Sequence, residues 1–224
     1  MDPMSHPAFM IGTGVALGLG HAFDPDHIAA MTAFIGPAPR LRTAVGYAVR
    51  WAAGHGMMLL VVGIVAMSLK FSPEKMGGWA DRVVGATLIL IGLWSIRRAF
   101  KLHLHLHEHP DGLVHAHAHS HTAGPGHVHR HAPTVLGLLH GLAGSGAIVV
   151  AIPAALAGSQ ALAFLFLLAF GAGVAFSMIG YAIFLSSIIR RRGSPSPGFQ
   201  MTLSAAAGAA NLIIGCLWIL GLHG

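Results

Sequence analysis

The stretch that decides the fold is Gly20-His21-Ala22-Phe23-Asp24-Pro25-Asp26-His27-Ile28. It lies inside a long apolar run, about residues 7–35, that we expect to cross a membrane. One charged side chain at the centre of a membrane helix costs roughly 2.5 to 3.5 kcal/mol on insertion scales. Two carboxylates and two imidazoles this close together therefore need a compensating partner, and a divalent cation suits their chemistry.

The composition is that of a helical membrane protein. The 224 residues are 54% hydrophobic and 9% charged, with a mean hydropathy of +0.69, whereas soluble domains carry about 25% charged residues. The net charge of +6 does not indicate nucleic-acid binding, because the basic residues lie in short loops beside apolar runs. The single Cys216 excludes a disulfide framework. The first residues contain no Lys or Arg, so we expect the first apolar run to be retained in the mature protein.

Six apolar segments predict an all-α, polytopic fold with six transmembrane helices. We predict that the first helix is broken at Asp24-Pro25, because Pro25 lacks a backbone donor and disfavours helical geometry at Asp24. Turns rich in proline and glycine separate the segments. Their approximate bounds are 7–35, 43–69, 77–96, 134–157, 161–189 and 201–222.

The two halves of the chain are predicted to form an inverted 3+3 repeat. Transporters of that build bind their substrate near the bilayer midplane, on broken helices at the repeat interface. The predicted division is a first three-helix repeat in residues 1–100, a histidine-rich loop in 101–131 and a second three-helix repeat in 132–224. The matches are Gly18-Leu19-Gly20-His21-Ala22 with Gly137-Leu138-Leu139-His140-Gly141, Gly54, Gly56 and Gly63 with Gly171, Gly173 and Gly180, and Gly85 and Gly92 with Gly208 and Gly215.

The distribution of Lys and Arg predicts the orientation. Ten of these residues lie in the first, third and fifth loops, and the other three lie in or beside the second. We therefore predict a protein of the cell (inner) membrane with both termini outside and the histidine-rich loop in the cytoplasm.

Four side chains of the first segment are candidate metal ligands: His21, Asp24, Asp26 and His27. On an unbroken helix His21 and His27 would point about 120° apart, so a kink is needed to bring them together with Asp26. Asp24 directly precedes the break and ranks lower, because it is placed to cap the second half-helix. The alternative is that these groups only pair with each other or cap the half-helices.

Two further histidines are candidates. His55, between Gly54 and Gly56, is predicted to be a third imidazole ligand, the alternative being a hydrogen bond to a neighbouring carbonyl. His140, the repeat mate of His21, is a candidate ligand, pathway residue or structural donor. Imidazole and carboxylate suit nickel, cobalt, zinc or divalent copper, whereas calcium and magnesium prefer oxygen.

The loop of residues 101–131 holds 11 of the 17 histidines. It has few apolar residues and cannot bury a core, so we expect disorder. Its alternating imidazoles predict metal binding for buffering or delivery rather than for translocation.

These motifs resemble a known family. Residues His21 to His27 resemble the His-x4-Asp-His signature of the nickel/cobalt transporter superfamily, and Gly54-His55-Gly56 is similar to its Gly-His motif. The six spans, the histidine-rich loop and residues 137–145 look most like the shorter UreH-like or NicO-like branch. The resemblance implies that His21, Asp26, His27 and His55 are the metal ligands. The chain lacks the later acidic motifs of the eight-span permeases, so their coupling and direction of transport are not implied.

The resulting hypothesis is a transporter, not an enzyme, that moves Ni²⁺ or Co²⁺ by alternating access. We expect no prosthetic group, and the expected partners are the divalent ion, membrane lipid and nickel-enzyme maturation proteins, without nucleic acid. A zinc carrier, a membrane metallo-enzyme and an accessory metallochaperone for nickel-enzyme assembly remain alternatives.

Overall fold

The computed structural model describes residues 6–36, 40–69, 77–100, 103–108, 114–119, 131–142, 159–191 and 196–222. Within these ranges the chain forms seven helices and one two-stranded antiparallel sheet. The helices are α1 Pro7–His21, α2 Pro25–Ile35, α3 Leu41–Leu69, α4 Gly77–Phe100, α5 Ala132–His140, α6 Gln160–Arg191 and α7 Pro197–Ile219, and the strands are β1 His103–Glu108 and β2 Val114–His119.

Helices α3, α4, α6 and α7 are long and apolar enough to cross a membrane. Their outer faces carry large apolar side chains, among them Leu90, Phe176 and Ile213, which are all more than half exposed. Such a surface suits lipid rather than water, and the protein is a membrane protein. The first predicted span corresponds to α1 and α2, which are each shorter than the roughly 20 residues of a spanning helix. The fourth begins with α5, and its residues 143–157 lie outside the described ranges.

The predicted break in the first segment is confirmed. Helix α1 ends at His21 and α2 begins at Pro25, joined by a tight turn in which the amide of Asp24 donates to the carbonyl of His21 at 3.0 Å. Asp24 has an extended ψ of 140°, as expected for a residue that precedes proline. Its side chain makes no capping hydrogen bond to α2, so the expectation that Asp24 caps this helix is wrong.

A hydrogen bond from α6 compensates for the break. The amide of Phe23 donates to the carbonyl of Gly20, which leaves the carbonyl of Leu19 without its usual partner four residues on. The hydroxyl of Ser177 donates to this carbonyl at 3.1 Å. Backbone groups freed inside a membrane must find a partner within the protein, so Ser177 stabilises the interrupted helix.

Glycines set the closest helix contacts. A Cβ atom built at Gly18 would meet the backbone of Phe170 and Val174, and one at Gly173 would meet the carbonyl of Val15 at 2.5 Å. Helices α1 and α6 therefore touch backbone to backbone, as small residues allow in membranes. Helices α4 and α7 do the same at the glycine pairs Gly85–Gly215 and Gly92–Gly208.

The contact between α3 and α5 repeats the contact between α6 and α1. A Cβ atom at Gly137 would meet the backbone of Trp51 and His55, just as one at Gly18 would meet that of Phe170 and Val174. Each residue of one contact is separated in the sequence from its counterpart in the other contact by the same number of positions. In the packed helices the equivalent of Gly54 in the second half is therefore Gly173, whereas the sequence match had made it Gly171. The equivalent residues are Gly18 and Gly137, Gly173 and Gly54, Phe170 and Trp51, and Val174 and His55.

Helix α2 is held against α7 by an amide. The Nδ2 atom of Asn211 donates to the carbonyl of Ala29 at 2.8 Å and to that of Ala207 at 2.7 Å. Asn211 is fully buried, so its amide joins the two helices inside the protein.

Two short strands lie within the histidine-rich stretch. β1 pairs with β2 in a register that sets His105 opposite His117. These strands were not predicted from the sequence, which indicated disorder for the whole stretch. Disorder of the rest of this stretch, and the division of the chain into 1–100, 101–131 and 132–224, stay predictions.

Candidate metal centre

Three imidazoles converge beside the break between α1 and α2. His21 is the last residue of α1, His27 lies in the first turn of α2, and His55 lies in the middle of α3. The ring centroids of His21 and His27 are 4.8 Å apart, and those of His55 are 5.4 and 5.1 Å from them. Each residue offers a ring nitrogen within 4.8 Å of the other two. The break thus brings together side chains that a straight helix would point apart.

These imidazoles are buried with free nitrogen atoms. The Nε2 atom of His21 and both ring nitrogens of His27 and His55 have no hydrogen-bond partner among the described residues. A buried polar atom without a partner costs about 1 to 3 kcal/mol. Five such atoms in one cluster could bind a cation, since neutral imidazole is a good ligand for borderline transition metals.

Asp24 holds His21 in place. Its Oδ2 atom lies 2.8 Å from Nδ1 of His21, which leaves Nε2 for an ion. A carboxylate behind a ligating histidine fixes the ring orientation and raises its basicity. Asp24 therefore supports the cluster from behind, in addition to being a candidate ligand.

Asp26 lies at the other side of His27. Its carboxylate is buried, and Oδ1 is 3.5 Å from Nδ1 of His27. Asp24, Asp26 and His27 form a second group whose ligand atoms all lie within 4.8 Å of one another. His27 is thus shared by an all-imidazole group and a carboxylate-rich group.

His140 lies beside the three-imidazole group. It ends α5, its ring centroid is 5.9 Å from that of His27, and it is buried. Its Nδ1 is 2.9 Å from the carbonyl of Leu136, a distance at which an N–H there donates, while Nε2 has no partner in the described part of the chain. The structure brings all six predicted residues into one region; their role as ligands stays a prediction.

Trp51 is part of this centre and was missed from the sequence. Its indole stacks on His55, with ring centroids 4.9 Å apart and planes 11° apart, and meets His27 edge-on at 4.7 Å. Its Nε1 atom is buried without a partner among the described residues. Trp51 precedes His55 by four positions on α3, a spacing that places both on one helix face. The sequence alone could therefore have predicted that Trp51 lies beside His55.

The fold and the site define a class: a helical membrane protein with a buried cluster of histidine and aspartate at a broken helix. The chain is 30% identical over 177 residues to the urease accessory protein UreH of Bacillus sp. (strain TB-90). The alignment covers 75% of this chain and 72% of that protein. The chain belongs to the family of this protein.

Two plant proteins are also similar. The chloroplast proteins FOR GROWTH AND FERTILITY 1 and 2 of Arabidopsis thaliana are each 29% identical over 185 residues, or 78% of this chain. The alignments cover 49% and 46% of the plant proteins, so the chain spans about half of their length. No family model matches the chain, and no solved structure matches it.

Proposed function

We propose that the protein carries Ni²⁺ or Co²⁺ across the membrane through the His21–His27–His55 cluster. The observation that carries this proposal is the set of five buried, unpartnered imidazole nitrogens beside a helix break. Broken membrane helices recur where transporters bind their substrates. The resemblance to the nickel/cobalt transporter superfamily supports the choice of metal, and Asp26 and His140 lie beside the cluster as further candidate ligands.

The proposed mechanism is alternating access by two inverted halves of three spans each. Repetition of the α1–α6 contact in the α5–α3 contact supports such a symmetry, because equivalent residues meet at a constant offset. His21 and His140 occupy equivalent positions in it. Val174 stands where the first half has His55, so the cluster of His21, His27 and His55 has no full counterpart in the second half.

The metal would be delivered on the cytoplasmic side. The Lys and Arg distribution favours termini outside and residues 101–131 inside. One relative is described as a urease accessory protein, and we extend to this chain a role in supplying nickel to an enzyme-maturation protein. The histidine-rich loop would then buffer or hand over the ion. The protein needs no prosthetic group and catalyses no reaction in this proposal.

Uptake of radiolabelled nickel by liposomes containing the purified protein tests the proposal. We expect saturable uptake that His21→Ala and His27→Ala abolish, because each removes one imidazole of the cluster. Thr202→Ala, an exposed change in α7, is the control and should transport like the unmodified protein. Normal transport by both histidine variants would refute the proposed site.

The same liposomes separate the alternatives. A zinc carrier would take up Zn²⁺ in preference to Ni²⁺ and Co²⁺ in a competition assay. An accessory metallochaperone, which the similarity to a urease accessory protein also supports, would bind nickel without moving it across the bilayer.

A further inference from the structure

Two overlapping groups of ligand atoms share a single histidine. His21, His27 and His55 form one group, and Asp24, Asp26 and His27 form the other. We name them the imidazole position and the carboxylate position. The two positions are therefore adjacent and share His27 as a ligand.

The ring of His27 is suited to serve both positions in turn. It is 2% exposed, and neither Nδ1 nor Nε2 has a hydrogen-bond partner among the described residues. A metal-ligating histidine usually fixes its ring through its other nitrogen, and His140 has such a contact with the carbonyl of Leu136. Neither nitrogen of His27 is fixed by such a hydrogen bond among the described residues, and Oδ1 of Asp26 lies 3.5 Å from Nδ1.

We propose that one metal ion occupies the two positions in succession, with His27 as the common ligand. This inference rests on the proposed function and adds a sequence of steps to it. The ion enters at the carboxylate position, is passed across His27 and comes to rest among the three imidazoles.

Exposure gives the order of the steps. The side chain of Asp24 is 37% exposed, whereas those of His21, Asp26 and His27 are at most 6% exposed. A carboxylate pair at the more open end attracts a cation that still carries water. The buried imidazoles favour a borderline transition metal that has lost its water. The chain thus separates capture from selection.

Asp24 makes the two positions mutually exclusive. Its Oδ2 atom holds Nδ1 of His21 at 2.8 Å. An ion in the carboxylate position draws this carboxylate away and loosens His21, a ligand of the other position. When the ion moves on, Asp24 returns to His21 and fixes the imidazole that now binds the metal.

Binding of Co²⁺ alone to the purified full-length protein tests the proposal. The background replaces the 11 histidines of residues 103–131 with glutamine, so that only the intramembrane groups bind. X-ray absorption counts imidazole ligands, and visible absorption distinguishes a four-coordinate from a six-coordinate ion. We expect one ion per chain, bound by three imidazoles.

His55→Ala and His21→Ala each remove the imidazole position in a different helix. We expect both variants to keep one ion, with fewer imidazoles, more oxygen ligands and an affinity about 10- to 100-fold lower. Asp26→Asn should keep the three-imidazole spectrum but slow the uptake of Co²⁺ into liposomes. A single position would instead lose all binding in His55→Ala and His21→Ala, and this result overturns the inference.

Binding and uptake of Co²⁺ together distinguish a failure of the two positions from a failure of the proposed function. If the unmodified protein transports cobalt but His55→Ala and His21→Ala bind none, transport stands and the second position does not. If both positions bind cobalt and no uptake occurs, the proposed function fails while the two positions remain.

Discussion

Trp51 stacks face to face on His55, with their ring centroids 4.9 Å apart. The two residues lie on the same face of α3, and the indole edge also contacts the ring of His27. Because no side chain fits between these rings, Trp51 lines the candidate metal centre on one side and restricts the rotamers of His55. An ion bound by His55 would lie within a few ångströms of the indole.

Binding of Ni²⁺ or Co²⁺ should therefore quench the fluorescence of Trp51. We expect Trp51→Phe to lose most of the metal-dependent quenching, because the other tryptophans lie elsewhere in the chain. Trp94→Phe is the matched control, since Trp94 contacts Phe34 and Arg98 and lies outside the cluster. A titration of the purified proteins measures this. Equal quenching in the two variants would show that the metal binds away from α3.

Removing the carboxylate of Asp24 should weaken metal binding through His21. Outer carboxylates behind ligating histidines are worth about 10- to 100-fold in metal affinity. We expect such a loss in Asp24→Ala and a smaller one in Asp24→Asn, because an amide oxygen still accepts from Nδ1–H of His21. Competition titration with a chelating dye gives the affinities.

Asp81→Ala is the control for Asp24. Asp81 lies near the start of α4 and belongs to neither group of candidate ligands, and its replacement should leave nickel affinity unchanged. Identical affinities for Asp24→Ala, Asp24→Asn and the unmodified protein would exclude a role for the contact between Asp24 and His21.

The residue types of the centre could be predicted from the sequence, but their contacts could not. Pro25 has a purely local effect on the backbone, so the break after Asp24 followed from covalent chemistry. Whether the side chain of Asp24 caps α2 or contacts His21 depends on the geometry of the turn. The spacing of four residues between Trp51 and His55 could have predicted that their rings lie together. The equivalence of Gly54 and Gly173, in contrast, could be recognised only from the packed helices.

Ser177 illustrates the limit of sequence reasoning most clearly. A lone serine in an apolar helix has no pattern that indicates its partner. The carbonyl of Leu19 lacks its usual donor only because the helix is interrupted just after it, and Ser177 reaches this carbonyl only in the packed structure. Its role follows from the two helices together and from neither alone.

Ser177→Ala should destabilise the protein by about 0.5 to 1.5 kcal/mol, the usual range for hydrogen bonds between membrane helices. The carbonyl of Leu19 would lose its donor without a water to replace it. Unfolding in mixed micelles with increasing sodium dodecyl sulfate measures the change. Thr202→Ala, which removes only a bond from the hydroxyl to the carbonyl of Gly198 within α7, should have a smaller effect. The reverse order would contradict the role given to Ser177.

Gly18→Ala and Gly12→Ala provide the sharpest test of helix packing, because they make the same change on one helix. A Cβ atom at Gly18 would meet the carbonyl of Phe170 and, at 3.1 Å, the amide nitrogen of Val174, which are backbone atoms of α6. Nothing lies within 4 Å of a Cβ atom at Gly12.

We expect Gly18→Ala to cost about 1 to 3 kcal/mol, as overpacking does, and to impair nickel uptake because α1 carries His21. Gly12→Ala should be neutral or stabilising by up to about 1 kcal/mol, since alanine favours a helix over glycine. The same unfolding assay and liposome uptake measure both variants. If the two alanines behaved alike, α1 and α6 would not be in backbone contact, and the position of His21 beside His55 would lose its structural basis.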